Sequence, residues 1–305
     1  MSLLSIAGVL SSAIFSGTSL LYTTLGEVID ERAGIVNLGL EGVLLVSAST
    51  GVAVTVVTAN PYWGVLAAAL VGGIMNVVLG YLVIHRQANQ LASGLALMFF
   101  GFGLSALIGR PYVGAKIHAL PRILLPGLSG LPRLYTSLFS FDPLIYLVLP
   151  AAVLAWWLLF RTRWGLGLRA VGENADIAYA SGRNPRLIRY QALFVGGVFA
   201  GLGAAHLAIA YAMTWSEYMT GGRGFIAVAL VIFSKWHPLR AVVGALLFSG
   251  AVAFQLLLQS SGVQVSPFLL DTIPYLVTLL VLMIWGGTRK QSAPASLGRV
   301  YHGTE

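Results

Sequence analysis

The sequence contains no cysteine and little charge, since only 9% of its 305 residues are Asp, Glu, Lys or Arg. The lack of cysteine excludes disulfides, thiol chemistry and cysteine-ligated metal. Soluble domains carry about 25% charged residues, so this composition, with 57% hydrophobic residues, excludes an ordinary soluble domain. Positive charge is also absent ahead of the first hydrophobic run, so a cleavable signal peptide is not expected. These absences predict an all-α polytopic membrane protein.

Apolar runs without charge mark the expected membrane spans. An apolar core of about 30 Å needs roughly 20 residues of helix, and ionisable residues are costly at its centre. The gaps between charges predict about nine helices, or roughly eight to ten, in one domain over residues 1–288. The run at 224–234 is too short to cross alone, so we expect a half-helix or a short buried span there. The expected spans cover residues 4–25, 41–60, 61–85, 87–109, 143–160, 190–213, 224–234, 241–258 and 272–287.

The longest polar insert, residues 161–189, holds six of the fifteen arginines. Cytosolic loops are enriched in Lys and Arg, and placing this insert in the cytosol puts thirteen of the eighteen basic residues inside. Four basic residues then lie outside, in residues 110–142, and Arg223 lies at the outer boundary. The polar tail, residues 289–305, lies inside on this topology and is expected to be disordered.

A short helix is predicted within the insert. Asn174 suits an N-cap, residues 175–180 favour helix, and Gly182 suits the helix end. A short helix flanked by glycines and arginines fits a cleft on a soluble partner. The alternative is a solvated loop bound to anionic lipid.

Polar residues near the N-terminal spans are candidates for a transport pathway. Asn37 and Glu41 are four residues apart and would share one face of a helix, where a carboxylate must find water or a donor. The alternative is a helix end at the membrane interface with Glu41 solvated. Asn76 and Asn89 are further candidates, although hydrogen bonds between helices would explain them as well.

A second candidate segment, WSEYMTGGRGF, precedes the short run at 224–234. The amide groups at the start of that helix would face the outer side beside Arg223 and suit a polar or anionic group. Aromatic side chains there would stack on a nucleobase or a sugar ring. The alternative is an aromatic belt in which Arg223 extends to the interface or pairs with Glu217. The candidates from this segment are Trp215, Glu217, Tyr218, Arg223 and Phe225.

Gly197, Gly201 and Ala205 recur every four residues, a spacing that lets helices approach closely. Helix packing is therefore their expected role, with a helix that shifts during transport as the alternative. His206, on the same run, has no second His, Asp or Glu at metal-binding spacing. We expect a packed, hydrogen-bonded histidine there and no metal site.

Three motifs in order resemble one protein family. The chain carries ERAGIVNLGLEG from Glu31, RTRWGLGLRAVGENADIAYASG from Arg161 and MTGGRGFIAVA from Met219. They resemble permease subunits of bacterial ABC importers, in the group that serves branched-chain amino acids, simple sugars and nucleosides, and more narrowly its sugar and nucleoside branch. The resemblance implies a type II importer-like fold in the bacterial inner membrane and a cytosolic coupling helix that docks on an ATP-binding subunit. By motif alignment, the coupling candidates are Gly172, Glu173, Asn174, Asp176, Ala178, Ser181, Gly182 and Arg183.

The same resemblance implies the partners. Permease subunits of this group pair in the membrane, often as two different chains, and receive solute from an extracytoplasmic binding protein or lipoprotein; nucleic acid is not a partner. ATP and Mg²⁺ would bind the separate ATP-binding subunit, so this chain is expected to hold no cofactor and to catalyse no reaction. The absence of a G-x-x-x-x-G-K-[ST] loop agrees with that expectation.

The expected function is therefore ATP-driven import of a small polar solute, a nucleoside or a simple sugar. The alternative is an ion-coupled secondary transporter that acts without an ATPase. Such proteins place paired acids, or an acid and a histidine, within the membrane, and the sequence pattern indicates no such pair. A lipid-processing membrane enzyme would need a His, Asp or Ser cluster at workable spacing, which the sequence does not indicate either.

Overall fold

The computed structural model describes residues 3–124, 140–261, 265–285 and 293–301. Helices dominate these residues, as predicted. Two short strands, β1 (Ile123–Leu124) and β2 (Ser140–Phe141), pair antiparallel with Ile123 opposite Phe141. The helices are α1 (Leu3–Arg32), α2 (Leu40–Thr58), α3 (Pro61–Gly80), α4 (Gln90–Gly109), α5 (Pro143–Arg161), α6 (Arg163–Glu173), α7 (Ala175–Ala180), α8 (Pro185–Ala205), α9 (Arg223–Phe233), α10 (Pro238–Ser260), α11 (Pro267–Leu270) and α12 (Ile273–Trp285).

Six helical units of the described chain are long and apolar enough to cross a membrane. Three of them extend an α-helix by a short segment of different pitch: α3 continues into the π-helical Tyr81–His85, α4 into the 3₁₀ turn Arg110–Tyr112, and α8 into the π-helical His206–Tyr211. Together with α1, α9 and α12 these units match the nine predicted spans over the described residues. Helix α9 has only 11 residues, as the short run predicts.

Asparagine and aspartate side chains begin several helices. The Oδ1 atoms of Asn60 and Asp142 accept the amide N–H of Tyr62 and Leu144 at 3.0 and 2.9 Å, and a proline occupies the first helical position in both cases. The exposed Asn89 likewise accepts the N–H of Ala92 at 3.0 Å. Asn89 is therefore a helix cap in this structure, and it lies at a surface rather than within the spans.

Helices α3 and α8 approach at their glycines, as the small-residue spacing predicts. A Cβ atom added at Gly197 would overlap the carbonyl oxygen of Gly72, and one at Gly201 would overlap that of Ala68. The prediction of packing is confirmed, because backbone lies directly on backbone at these positions.

The loops gather at two ends of the helix bundle. At one, the Nε atom of Arg32 donates to the Trp236 carbonyl at 2.9 Å, and the Trp236 Nε1 atom donates to Glu31 at 2.5 Å. We call this the coupling end, since α6 and α7 also lie there, and the predicted topology places it in the cytosol. The opposite end, with β1, β2 and the start of α9, is called the outer end. Three predicted loop residues, Arg133, Arg289 and Lys290, lie outside the described residues.

The expectation of a disordered tail is wrong for residues 293–301. Ser296 and Tyr301 are buried, and both hydroxyls donate to backbone carbonyls of the coupling end. Two side-chain hydroxyls that reach buried carbonyls anchor this segment, a pairing that composition alone does not reveal.

Candidate coupling surface and transport pathway

The predicted surface helix of the insert is confirmed as α7. The Oδ1 atom of Asn174 accepts the amide N–H of Ile177 at 3.0 Å and begins the helix. At its end, Gly182 adopts φ +78°, a left-handed conformation that costs glycine little. Asn184 then accepts the N–H of Leu187 at 3.1 Å and begins α8. These local signals explain why a short helix stands alone between two caps.

Helix α7 has a buried face and an exposed face. Ala175 and Ala178 are buried against the chain, whereas Asp176, Ile177 and Tyr179 are exposed. The exposed fractions of Ile177 and Tyr179 are 65% and 59%, which is high for large apolar side chains. Sequence reasoning selected Ala178 and missed these two, although the inward alanines three residues apart would have placed them outward.

The other coupling candidates divide in the same way. Glu173, Asn174, Ser181 and Gly182 are exposed, and Arg183 is half-buried. Gly172 is buried, and a Cβ added there would overlap the carbonyl oxygen of Arg32. Gly172 and Ala178 are therefore not available to a docking partner in this structure and instead set how closely the segment packs.

Cationic and aromatic side chains cluster around the Phe160 ring, next to α6. The guanidinium carbons of Arg169 and Arg32 lie 5.0 and 5.6 Å from the centre of the Phe160 ring, and the His237 ring stacks on the same phenyl group at 5.1 Å. Burial, followed by the charges of Arg240 and Arg32, lowers the pKa of His237. This histidine is therefore neutral at neutral pH and adds no charge to an already basic end.

Asn37 does not lie on a helix, so the prediction that it shares a helical face with Glu41 is wrong. It lies in the turn before α2, and its side-chain oxygen accepts the N–H of Gly39 at 2.9 Å. Its amide N–H donates to Glu27 at 2.9 Å, and its Nδ2 atom donates to Asn76 at 2.8 Å. Asn76 in turn donates to Asp30 at 2.8 Å. All four side chains are fully buried, so Asn37 and Asn76 join helices here and face no open space.

Glu41 is buried and holds the start of α9, so the alternative of a solvated carboxylate is wrong. Its Oε1 atom accepts the Thr220 hydroxyl at 2.5 Å and the Gly222 N–H at 2.8 Å, and its Oε2 atom accepts the Gly224 N–H at 2.6 Å. The anionic group predicted for this helix start is therefore supplied by the chain itself.

Arg223 lies between two cavities at the outer end. Its Nη1 atom donates to the Ser16 carbonyl at 3.0 Å and to the Ser19 hydroxyl at 2.9 Å, and its guanidinium carbon lies 5.8 Å from the Tyr211 ring centre. The alternative pairing with Glu217 is wrong, because Glu217 instead pairs with the exposed Arg110 at 2.8 Å.

The first cavity, of about 360 Å³, lies between α1, α9, α10 and α12. The second, of about 320 Å³, adjoins β2 and the π-helical end of α8. Both are lined by Ser16 and Arg223. Four serine hydroxyls and three aromatic rings also face the second cavity: Ser11, Ser12, Ser16, Ser140, Phe15, Phe141 and Tyr211. Sequence reasoning found Arg223 and missed the rest, since the serines are scattered along apolar runs.

The remaining aromatic candidates do not line these cavities. Trp215 is fully buried, and a Cβ added at Gly109 would overlap its indole ring, so it is a core residue in this structure. Tyr218 and Phe225 are exposed, and the Tyr218 ring meets Phe102 edge to face at 5.3 Å. Of the five candidates from this segment, the structure thus brings only Arg223 to one of these two cavities.

A buried acid and histidine lie close together beside the second cavity. The Nε2 atom of His206 is 3.4 Å from Oδ2 of Asp142, and both side chains are buried. The expected packing of His206 is confirmed, but the expected hydrogen bond is wrong, because neither ring nitrogen makes one with the described residues. The sequence-based reason for rejecting a secondary transporter, the lack of such a pair, therefore fails for Asp142 and His206.

Comparison with known proteins decides between the classes of transporter. Residues 9–284 match the family described as branched-chain amino acid transport system / permease component. The putative glucose ABC transporter permease protein of Haloferax volcanii is 37% identical, over 90% of this chain and 91% of the relative. The nucleoside ABC transporter permease protein of Lactococcus lactis is 31% identical over 96% of both chains, and the guanosine ABC transporter permease protein of Bacillus subtilis is 31% identical over 92% of both. No solved structure is significantly similar to the chain.

Proposed function

Because the chain belongs to this family of ABC transporter permeases, we propose that it moves a nucleoside or a simple sugar inward while a separate subunit hydrolyses ATP. As a member of the family it is a multi-pass permease subunit of the cytoplasmic membrane and not itself an enzyme. The proposal concerns the solute, the docking surface and the residues that serve each.

The second cavity carries the assignment of the solute. Its serine hydroxyls and the Arg223 guanidinium supply hydrogen-bonding groups, and the rings of Phe15 and Tyr211 supply flat apolar faces. Sugar hydroxyls suit the first set, and a nucleobase or sugar ring suits the second. The names of the relatives, which concern glucose, nucleosides and guanosine, support the same two classes.

The exposed face of α7 supports the docking of the ATP-binding subunit. Ile177 and Tyr179 are large apolar side chains at an end of the molecule rich in arginine, with Asp176 beside them. Apolar anchors ringed by polar groups are typical of a helix that fits into a groove on a partner. ATP and Mg²⁺ would bind that partner, and we propose no cofactor for this chain.

The chain works in a larger assembly. We propose a second, different permease subunit as its partner in the membrane and an extracytoplasmic binding protein or lipoprotein that delivers the solute. Helix α1 would connect the two sites, because it runs from Ser16 at the cavities to Arg32 at the coupling end, about 24 Å at 1.5 Å per residue.

Uptake by the reconstituted assembly tests the solute. Proteoliposomes that contain the full transporter would be given labelled guanosine or labelled glucose with its binding protein. Uptake of one of them, driven by ATP and lowered at least about tenfold in Arg223→Ala, is expected. The matched control is Arg86→Ala, an exposed arginine away from the cavities. Uptake without ATP, or normal uptake in Arg223→Ala, would contradict the proposal.

A second measurement tests the docking. Changing the exposed Asp176 to Ala is expected to lower ATP hydrolysis stimulated by the loaded binding protein, while the chain still inserts. Glu173→Ala is expected to act in the same direction. Unchanged stimulation in both variants would remove α7 from the docking surface.

A further inference from the structure

The tail segment, residues 293–301, packs against four parts of the coupling end. It contacts the last residues of α6, the turn after α1 and the starts of α4 and α8. None of these parts adjoins the tail in sequence, since the contacts join residues 112 to 267 positions apart. Such contacts fix the segments relative to one another.

Ser296 ties the tail to Gly172, three residues before the start of α7. Its amide N–H and its hydroxyl both donate to the Gly172 carbonyl, at 3.0 and 2.6 Å. The next residue, Glu173, accepts the amide N–H of Ala295 at 3.3 Å. Two adjacent residues at the end of α6 are therefore held by the tail, and α7 begins two positions later.

Tyr301 ties the tail to α1 and α8. Its side chain is only 1% exposed, and its hydroxyl donates to the Gly34 carbonyl, in the turn after α1, at 2.6 Å. The guanidinium carbon of Arg189, near the start of α8, lies 3.5 Å from the centre of the Tyr301 ring. A cation on the face of an aromatic ring, away from water, is a strong contact.

Gln90 completes the connection at the start of α4. Its Nε2 atom donates to the carbonyls of Arg299 and Gly34, at 2.8 and 3.2 Å, and its Oε1 atom accepts the N–H of Val36 at 3.0 Å. The side chain is fully buried. The tail, the turn after α1 and the start of α4 thus share one hydrogen-bonded group.

We propose that residues 293–301 are a positioning strap that transmits movement of the docked α7 to α1, α4 and α8. Ser296 and Tyr301 are its positioning residues. Without them the end of α6 would shift relative to the spans, so that ATP hydrolysis would no longer move the pathway efficiently. The inference rests on the proposed docking of the ATP-binding subunit at α7.

Cysteine labelling tests whether the strap is docked in the complete transporter. The chain has no cysteine, so single variants report one position each. In membranes that contain the whole assembly, Pro294→Cys, at a buried position that is not one of the two positioning residues, is expected to react with a maleimide about tenfold more slowly than the exposed control Ala295→Cys. Equal rates would show an undocked tail and overturn the proposal. This readout needs neither transport nor ATP, so it is independent of the proposed function.

The number of ATP molecules hydrolysed per solute imported tests the positioning role. For Tyr301→Ala and Ser296→Ala this ratio is expected to rise about fivefold, with the subunits still purifying together. Tyr301→Phe keeps the aromatic ring against Arg189, so its ratio of ATP hydrolysed to solute imported should stay close to that of the wild type. The control is Arg299→Ala, which removes an exposed side chain but keeps the carbonyl bonded to Gln90.

The outcomes separate the strap from the proposed function. If the wild-type assembly imports neither guanosine nor glucose, the proposed solute is wrong, whatever the labelling shows. If the wild type transports and both alanine variants keep its ratio, the strap does not transmit movement and the proposal fails. If they instead lose the partner subunits, the tail is a part of assembly alone, which also overturns a positioning role.

Discussion

Around α7 the side chains of Asp176, Ile177 and Tyr179 point away from the chain, whereas around α9 the polar atoms of Glu41 and Thr220 are bonded inside it. Both regions have glycines, a short helix and charged residues, and sequence patterns suggested a ligand or partner for each. In the first region the chain leaves large apolar side chains exposed. In the second region, the carboxylate of Glu41 accepts hydrogen bonds from the amide groups at the start of α9. The difference is that α7 exposes large apolar side chains that a partner could cover, whereas the start of α9 has its polar groups bonded within the chain.

Replacing Glu41 by Ala should have the largest effect on the buried side of this comparison. The change removes the acceptor of three hydrogen bonds and leaves the half-buried Gly222 amide and the buried Gly224 amide without one, so we expect a loss of about 3 kcal/mol in the free energy of unfolding. Reversible SDS-induced unfolding in detergent micelles would measure it. The control is Glu217→Ala, an exposed glutamate. A stable Glu41→Ala variant that loses only transport would turn Glu41 into a pathway residue and break the comparison.

Replacing Asn76 by Ala should cause the next largest loss of stability. The variant removes the acceptor of the Asn37 amide group and the donor to Asp30, which we expect to cost about 2 kcal/mol in unfolding free energy. The same unfolding experiment applies, with Val78→Ala as a control on the exposed face of α3. Equal stability of the two variants would mean that the buried network contributes little.

Replacing Tyr179 by Ala tests the exposed region of the comparison, the surface of α7. We expect about tenfold weaker binding of the ATP-binding subunit, because an apolar anchor is lost, with unchanged unfolding of the isolated chain. Ile177→Ala should behave alike. Binding would be measured by titrating the purified subunit into the permease in nanodiscs, with the exposed Leu147→Ala on α5 as the control. A loss of stability without a loss of binding would assign Tyr179 to the fold instead.

Replacing Arg110 by Ala should have the smallest effect. The pair with Glu217 is exposed, and solvent screens such pairs strongly. We expect unfolding that cannot be distinguished from the wild type and uptake within about twofold of it. A clear loss of uptake with normal stability would reveal a third region, in which an exposed ion pair serves transport at the outer end.

Local sequence patterns predicted the structural features that depend only on residues close together in the sequence. Apolar runs predicted the nine apolar helical units of the described chain, and the cap at Asn174 with Gly182 predicted α7, because each signal lies within a few positions of its effect. Glu41 could not be assigned in this way, since its donors lie 179 to 183 residues along the chain. Asn37 was placed on a helix because the spacing to Glu41 fits one, but its own side chain forms the turn that precedes α2.

The candidate residues that the sequence did not predict are those defined by three-dimensional contact. The cavity serines lie in apolar runs on α1 and on β2, and only the fold brings them to Arg223. Asp142 and His206 likewise meet across 64 positions to form a buried pair. The tail was misjudged because a polar composition suggests disorder, whereas hydrogen bonds of Ser296, Tyr301 and the Arg299 carbonyl to distant residues dock it.

The π-helical end of α8 changes how any scan of this helix should be interpreted. Over the described residues, every position from Gly203 to Ala210 is buried, across the junction between the α-helical and the π-helical parts of this span. The cause is packing, because α1, α2 and α3 all contact α8. A helical wheel drawn at an α-helical pitch through His206–Tyr211 would still assign the wrong faces, because a π-helix has a wider turn. Consecutive protected positions in a probe experiment there would reflect the neighbouring helices rather than a break in α8.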